Sequence, residues 1–275
     1  MIFGSKNRNL KNINDLEELK DLQLYRIMRT SHLIKWISTG KNTLVNIDKW
    51  DDPWEKALFK QRIISDGGCY TFSKFHYFGQ CWSLNKKETD TIWRSYNARG
   101  ANCVRVEVNA FDLCNSFMNY IDKAGGRPGL SRLLCYCGKV RYLAEPTAKT
   151  YFESNTIEGL VATKNFEETL FVKRKGFYLE NEFRLIYHYT NMSGLKDINF
   201  SAISPKDGFF YFDMDKSHIQ SVLFGPKISS NYEDYVKHKN SFYRFEKKLK
   251  KKGLTNISRS TLYDFPELKI RESFF

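Results

Sequence analysis

Residues 101–108 read Ala-Asn-Cys-Val-Arg-Val-Glu-Val, with Val104, Val106 and Val108 alternating against Cys103, Arg105 and Glu107. A period of two puts the valines on one face and the charged pair on the other, as in a strand buried on one side. Similar extended stretches are expected at Gln23–Met28, Gly79–Leu84, Leu134–Tyr142, Glu182–His188, Phe209–Asp213, Ser221–Phe224 and Ser258–Tyr263. Helical spacing marks Asn12–Leu22, a short helix from Thr30 or Ser31, Lys87–Tyr96, and an amphipathic stretch bearing Tyr235, Phe242, Phe245 and Leu249. Strands outnumber long helices and do not alternate with them regularly. The order predicts an α+β fold, with a mixed or antiparallel sheet core and peripheral helices, rather than a doubly wound parallel sheet.

The chain has 275 residues, 41% hydrophobic and 16% aromatic, which is enough apolar material for a real core. No apolar run approaches the roughly 20 residues of a membrane helix, and Met1–Asn9 is polar and basic without a leader-like apolar core. The sequence therefore predicts a soluble, cytoplasmic chain with no membrane partner. No repeat or proline-rich linker appears; the expected division is one α+β domain over residues 1–230, with residues 231–275 packed on it as a basic helix and strand. Six cysteines with no C-x-x-C read as reduced, mostly buried residues, and Cys135-x-Cys137 supplies only half a tetrahedral zinc site. No metal is expected.

Net charge is +13, and its excess is concentrated. From Lys237 to Lys252 there are eight Lys/Arg against one acid, Glu246. An apolar side for docking and a cationic side for solvent suit RNA or DNA backbone contact through Lys247, Lys248, Lys250, Lys251 and Lys252, although a solvated face accounts for the same pattern.

Asp52-Pro53-Trp54-Glu55 reads as a helix start, with Asp52 as cap, Pro53 first and Glu55 third. In Glu180-Asn181-Glu182-Phe183-Arg184 a strand period aligns Glu180, Glu182 and Arg184 on one face. That row is either an exposed charge ladder or a site in which a carboxylate stabilises developing positive charge. Arg26, beside Tyr25 in an otherwise apolar strand, calls for a phosphate or an internal carboxylate. Trp93 and Tyr96, three apart, suit core packing or a stacking wall for a planar base. Ser83 lacks a nucleophile elbow, so it is read as a positioning hydroxyl. P-loop and dinucleotide fingerprints are absent, and Asp66-Gly67-Gly68 lacks the strand–turn–helix setting of a phosphate cradle.

Taken in order, Leu24-Tyr25-Arg26, Trp50-Asp51-Asp52-Pro53-Trp54-Glu55, Cys81-Trp82-Ser83, Trp93-Arg94-Ser95-Tyr96, Val104-Arg105-Val106-Glu107, Lys139-Val140-Arg141-Tyr142, Glu180-x-Glu182-x-Arg184 and Phe224-Gly225-Pro226-Lys227 resemble the bacterial domain of unknown function 2971 family. Asp51 stands where that family usually has Asn, Trp82 replaces Phe, and Arg94 and Asn97 change the surroundings of Tyr96. More distantly, the Arg–Ser–Glu order is similar to that of ADP-ribosyltransferases. That resemblance implies NAD as substrate, with Arg26 on its phosphate, Ser83 supporting the nicotinamide ribose, Glu182 stabilising the oxocarbenium and Glu180 orienting the acceptor. Tyr25, Trp93, Tyr96 and Arg184 would line the NAD site. The expected function is an NAD-consuming ADP-ribosyltransferase-like effector or toxin of anti-phage defence that modifies nucleic acid and is controlled by a partner protein. The alternative is a non-catalytic nucleic-acid-binding or complex-forming subunit of a defence system. A magnesium nuclease built on Asp51, Asp52, Glu55, Glu180 and Glu182 requires those carboxylates to converge.

Overall fold

The computed structural model describes residues 9–13, 15–56, 62–65, 68–71, 76–97, 102–154, 166–190, 197–227 and 231–264. Asp66 and Gly67 of the glycine turn lie outside these residues. The strands are β1 (Leu10–Lys11), β2 (Gln23–Arg29), β3 (Lys41–Asn46), β4 (Arg62–Ser65), β5 (Gly68–Thr71), β6 (His76–Ser83), β7 (Cys103–Asn109), β8 (Cys135–Lys139), β9 (Arg141–Leu143), β10 (Val172–Arg174), β11 (Glu182–Tyr189), β12 (Phe209–Asp213), β13 (Ile219–Phe224) and β14 (Ile257–Arg259). Ten of them form one mixed sheet in the order β1-β8-β11-β6-β2-β7-β13-β14, with β3 joining β6 to β12 beside this path. The ends of the path are parallel, β1 to β8 and β13 to β14, while the centre is antiparallel. The fold is α+β.

The two faces of the sheet are unequal. Directly paired residues point the same way, so the registers Phe183↔Trp82, Leu185↔Gln80, Arg26↔Val106 and Phe224↔Val104 define one face. On it lies the main core, with Val104, Val106 and Val108 at 0% exposure and helices Leu16–Asp21, Thr30–Thr39 and Ala110–Ala124 over them. Phe117 of the last helix sets its ring edge-on to Phe212 at 5.2 Å. The C-terminal helix, Tyr232–Lys250, docks through His238, Phe242 and Phe245 on Phe224, and β14 extends the sheet beyond it. Cys135 and Cys137 share this buried face, and the described cysteine side chains are free thiols.

Several local expectations change in the tertiary setting. Leu134–Tyr142 is not one strand: Leu134 closes a helical turn, and the chain splits into β8 of the main sheet and β9, which pairs with β10 apart from that sheet. The extended stretch at Ser258–Tyr263 shortens to Ile257–Arg259. Neither Thr30 nor Ser31 caps its helix; Arg29 holds the cap position, without a side-chain hydrogen bond, because the strand runs straight into the helix. The described residues just after Asp52 form a 3-10 turn, Pro53–Lys56, where Asp52 Oδ1 accepts from the Trp54 amide at 3.0 Å. Glu55 does not close a capping box, since its carboxylate is engaged by Arg184.

Candidate functional site: a buried charge cluster and an exposed basic helix

The second face of the sheet carries two small apolar islands. Ile47, Tyr77, Leu170, Phe171 and Ile186 form one, and Ile27, Trp93 and Cys103 the other. Beside them, nearer one end of the strands, a polar row crosses five adjacent strands at one level, because Glu182 pairs Ser83, Ser83 pairs Tyr25, Tyr25 pairs Glu107 and Glu107 pairs Ser221. At neighbouring-strand spacing of ~4.8 Å the row is ~19 Å long. Its two ends are chemically different.

At the β11 end, charges are buried together. Lys173 Nζ lies 2.8 Å from Glu182 Oε1, 2.6 Å from Glu180 Oε2 and 3.5 Å from Glu55 Oε1. Arg184, wholly buried, donates to Glu182 at 2.6 Å, to the Leu170 carbonyl at 2.7 Å and to Glu55, and its guanidinium lies over the Trp50 ring at 4.6 Å. The Tyr142 hydroxyl accepts from the Glu182 amide at 2.9 Å. Three carboxylates do converge, as a magnesium site requires, but the lysine ammonium occupies the point of convergence. Among the described residues no group of three or more His, Cys, Asp or Glu is placed to hold a metal ion.

Two cations facing three carboxylates explain the electrostatics. Burial works against the charge of Glu182, but Arg184 and Lys173 outweigh it and hold the carboxyl well below its usual range. Burial likewise opposes the charge of Lys173, and Glu182, Glu55 and Glu180 raise its pKa instead. Glu180, with its side chain 45% exposed at the edge of the cluster, is the surplus acid. Burial and a hydrogen bond shared with Glu182 push it up to about 7 against the pull of Lys173.

Glu180 does not stand on the strand. It ends the 3-10 helix Lys175–Glu180, and Asn181 turns the chain with φ +43° before β11 begins. The expected charge ladder of Glu180, Glu182 and Arg184 is therefore corrected to a buried pair with one carboxylate folded over it. Arg184 spends its donors inside the protein, so it is not placed to hold a ligand phosphate.

The other site residues separate. Arg26 lies on the core-side face, with its guanidinium 5.9 Å from the Trp82 ring, whereas Ser83 and Glu182 face the opposite way. The pleat causes this: Tyr25, not Arg26, is in register with Ser83, and neighbours in a strand point to opposite faces. The expectation that Arg26, Ser83 and Glu182 meet at one hollow is overturned. Ser83 instead ties loops together, donating to the Glu180 carbonyl at 2.8 Å and accepting from the Asn85 amide at 3.1 Å. Trp93 is core rather than a stacking wall, at 1% exposure with its indole NH on Glu88 at 2.8 Å. Tyr96 sits in the helix Asp90–Asn97, and its side chain lies outside the described residues. Tyr25 faces the polar row and donates to Glu107 at 3.1 Å; burial and that carboxylate push its phenol up to about 12. Ser221 donates to the other oxygen of Glu107 at 2.5 Å, and Arg105 covers the Tyr25 ring at 4.7 Å.

Lys173 and the ion-pairing role of Glu55 escaped the sequence reading. The available signal was Val172-Lys173-Arg174, two cations just ahead of two glutamates, but β10 is only three residues long and has no readable period.

On the opposite side of the molecule the C-terminal helix exposes its cations. Lys247, Lys248, Lys250 and Lys251 are exposed, Lys250 being paired with Glu246 at 2.8 Å. Lys252 is half-buried and donates to Ser38 Oγ at 2.9 Å, which removes it from the free set. No described helix is long and apolar enough to cross a membrane. The chain matches no family model and no curated protein.

Proposed function

We propose that this protein binds nucleic acid through the C-terminal helix. The observation that carries this reading is the continuous exposed stripe Asn240, Tyr243, Arg244, Lys247, Lys248 and Lys251, which repeats at three- and four-residue spacing and contains no acid. Polyanion binding releases counterions, so affinity falls with salt along a log–log slope of about −0.7 to −0.9 per phosphate contacted. Four cations in the stripe give a slope near −3 to −4 by that rule. Fluorescence anisotropy of labelled oligonucleotides across a salt series tests it; affinity that is absent or indifferent to salt rejects it.

A second reading rests on a separate observation: Glu180, half-exposed and pushed up to about 7, is charged and neutral in comparable amounts at neutral pH. In this reading the protein consumes NAD and transfers ADP-ribose to a bound nucleic acid, as an effector of anti-phage defence. The N-glycosidic bond breaks, nicotinamide leaves with the bonding electrons, and the acceptor attacks the ribose carbon while its proton passes to Glu180. Glu182, neutralised by Lys173 and Arg184, acts only through its hydrogen bond to Glu180, and Arg26 has no part. Glu180→Gln, with NAD loss and nicotinamide release followed by chromatography, tests this; unchanged turnover rejects it.

A further inference from the structure

The stripe contains one aromatic ring among its cations. Tyr243 is 50% exposed and lies one helical turn from Lys247 and next to Arg244. Phe242 beside it, with ring centroids 5.4 Å apart, turns inward and is 8% exposed. Helix electrostatics account for lysines in the last turn, where cations complement the carbonyl end, but not for an exposed ring two turns earlier. Over the eight residue steps from Tyr243 to Lys251 the helix rises ~12 Å, a span that sets a flat ring at one end of a line of phosphate-binding groups.

We propose that this stripe is a single-strand site, in which Tyr243 stacks one unpaired base while Arg244, Lys247, Lys248 and Lys251 track the adjoining sugar–phosphate backbone. This deepens the nucleic-acid reading and rests on it; it is independent of catalysis at Glu180. Stacking needs a base with an open π-face, which a duplex hides and a single strand offers. The other end of the helix opposes a polyanion with Glu233 and Asp234, so the strand is confined to the half beginning near Asn240. A lipid surface fits poorly. A helix lying in a membrane interface buries its apolar face there, and here that face, His238, Phe242, Phe245 and Leu249, is already docked on the sheet.

The test compares the full chain and three variants against labelled oligo-dT and oligo-dA of about 12 nucleotides, a duplex of equal length, and anionic phosphatidylserine vesicles. Single strands are expected to bind at least tenfold more tightly than duplex. Tyr243→Ala weakens single-strand binding about tenfold or more without changing the salt slope, and Tyr243→Trp retains it. The triple change Lys247→Ala, Lys248→Ala, Lys251→Ala instead makes the slope shallower by about 2. Circular dichroism confirms that each variant keeps the helix. Equal binding of duplex and single strand, an unaffected Tyr243→Ala, or binding to vesicles alone overturns the single-strand assignment. Salt-dependent binding without strand preference overturns this assignment and leaves the broader reading standing, whereas no binding to either nucleic acid removes both.

Discussion

The ammonium of Lys173 stands 2.8 Å from the carboxylate of Glu182, and each side chain is 8% exposed. Such a pair is held by its completeness. Two charges taken out of water are stable together, but either one left alone retains the whole desolvation cost. Lys173→Met therefore leaves two buried carboxylates, Glu182 and Glu55, to share the single cation of Arg184, one charge uncompensated, and is expected to destabilise the fold by about 3–5 kcal/mol. Glu182→Gln in the same background recovers part of the loss by removing one orphaned charge. Urea unfolding of the single and double variants measures both. A Lys173→Met loss below about 1 kcal/mol, the range of exposed ion pairs, contradicts the buried-network description.

Glu180 and Glu182 respond to pH in opposite directions. Glu182 is held below its usual value near 4.5, so its contribution is present above that pH and is lost as pH falls. Glu180 is raised to about 7, so folding favours its protonated form. Its contribution is complete below about 4.5 and disappears as pH rises through about 7. Glu180→Gln keeps a neutral side chain throughout. The stability of the unaltered protein relative to this variant should therefore fall between pH 4.5 and 7 and level off above. Urea midpoints at several pH values give this difference, and a flat difference shows that Glu180 titrates normally.

Gly138 sets how closely β1 approaches the sheet. It pairs both Lys11 of β1 and Arg184 of β11, and a Cβ there would fall on the Lys11 backbone. Backbone cannot swing away as a side-chain tip can. Gly138→Ala is expected to cost about 1–3 kcal/mol and to release β1 locally rather than unfold the sheet. Hydrogen exchange at the Cys137 amide, bonded to the Asn9 carbonyl at 2.8 Å, reads this directly. Faster exchange at Cys137 with unchanged protection at Leu185 is the expected pattern; equal loss at both positions means that β1 is integral to the sheet.

The sheet was legible wherever one face of a strand meets water or polar groups. The valines of β7 alternate with Arg105 and Glu107 because only one face packs against helices, and period two records that asymmetry. In β11 the strand was legible at Glu182–His188 but its burial was not, because six consecutive residues are buried, with Glu182 and Arg184 among them where the charges suggest an exposed face. The candidate site failed at a finer scale. Choosing Arg26 over Tyr25 as the partner of Ser83 is a one-residue difference in sequence, yet it moves a side chain from one side of the sheet to the other. Lys173 could not be placed because its approach to Glu182 depends on the β9–β10 pair, a tertiary arrangement with no local pattern.

The basic helix permits a prediction that separates free cations from committed ones. Lys248 is exposed and has no ion pair among the described residues, whereas Lys252 bonds Ser38 and its carbonyl accepts from Lys216 at 2.5 Å. A free lysine contacting phosphate contributes about 0.7 to the salt slope of single-strand binding; one that must first leave an internal partner contributes less. Lys248→Ala should make the slope shallower by about 0.7, and Lys252→Ala by less than half as much, with a loss of thermal stability that Lys248→Ala does not share. The physical reason is the anchor: without the Lys252–Ser38 bond the end of the helix loses a tie to the helix Thr30–Thr39. Equal slopes for the two variants would mean that the nucleic acid draws Lys252 away from Ser38, and that the binding surface extends past Lys251 to the end of the helix.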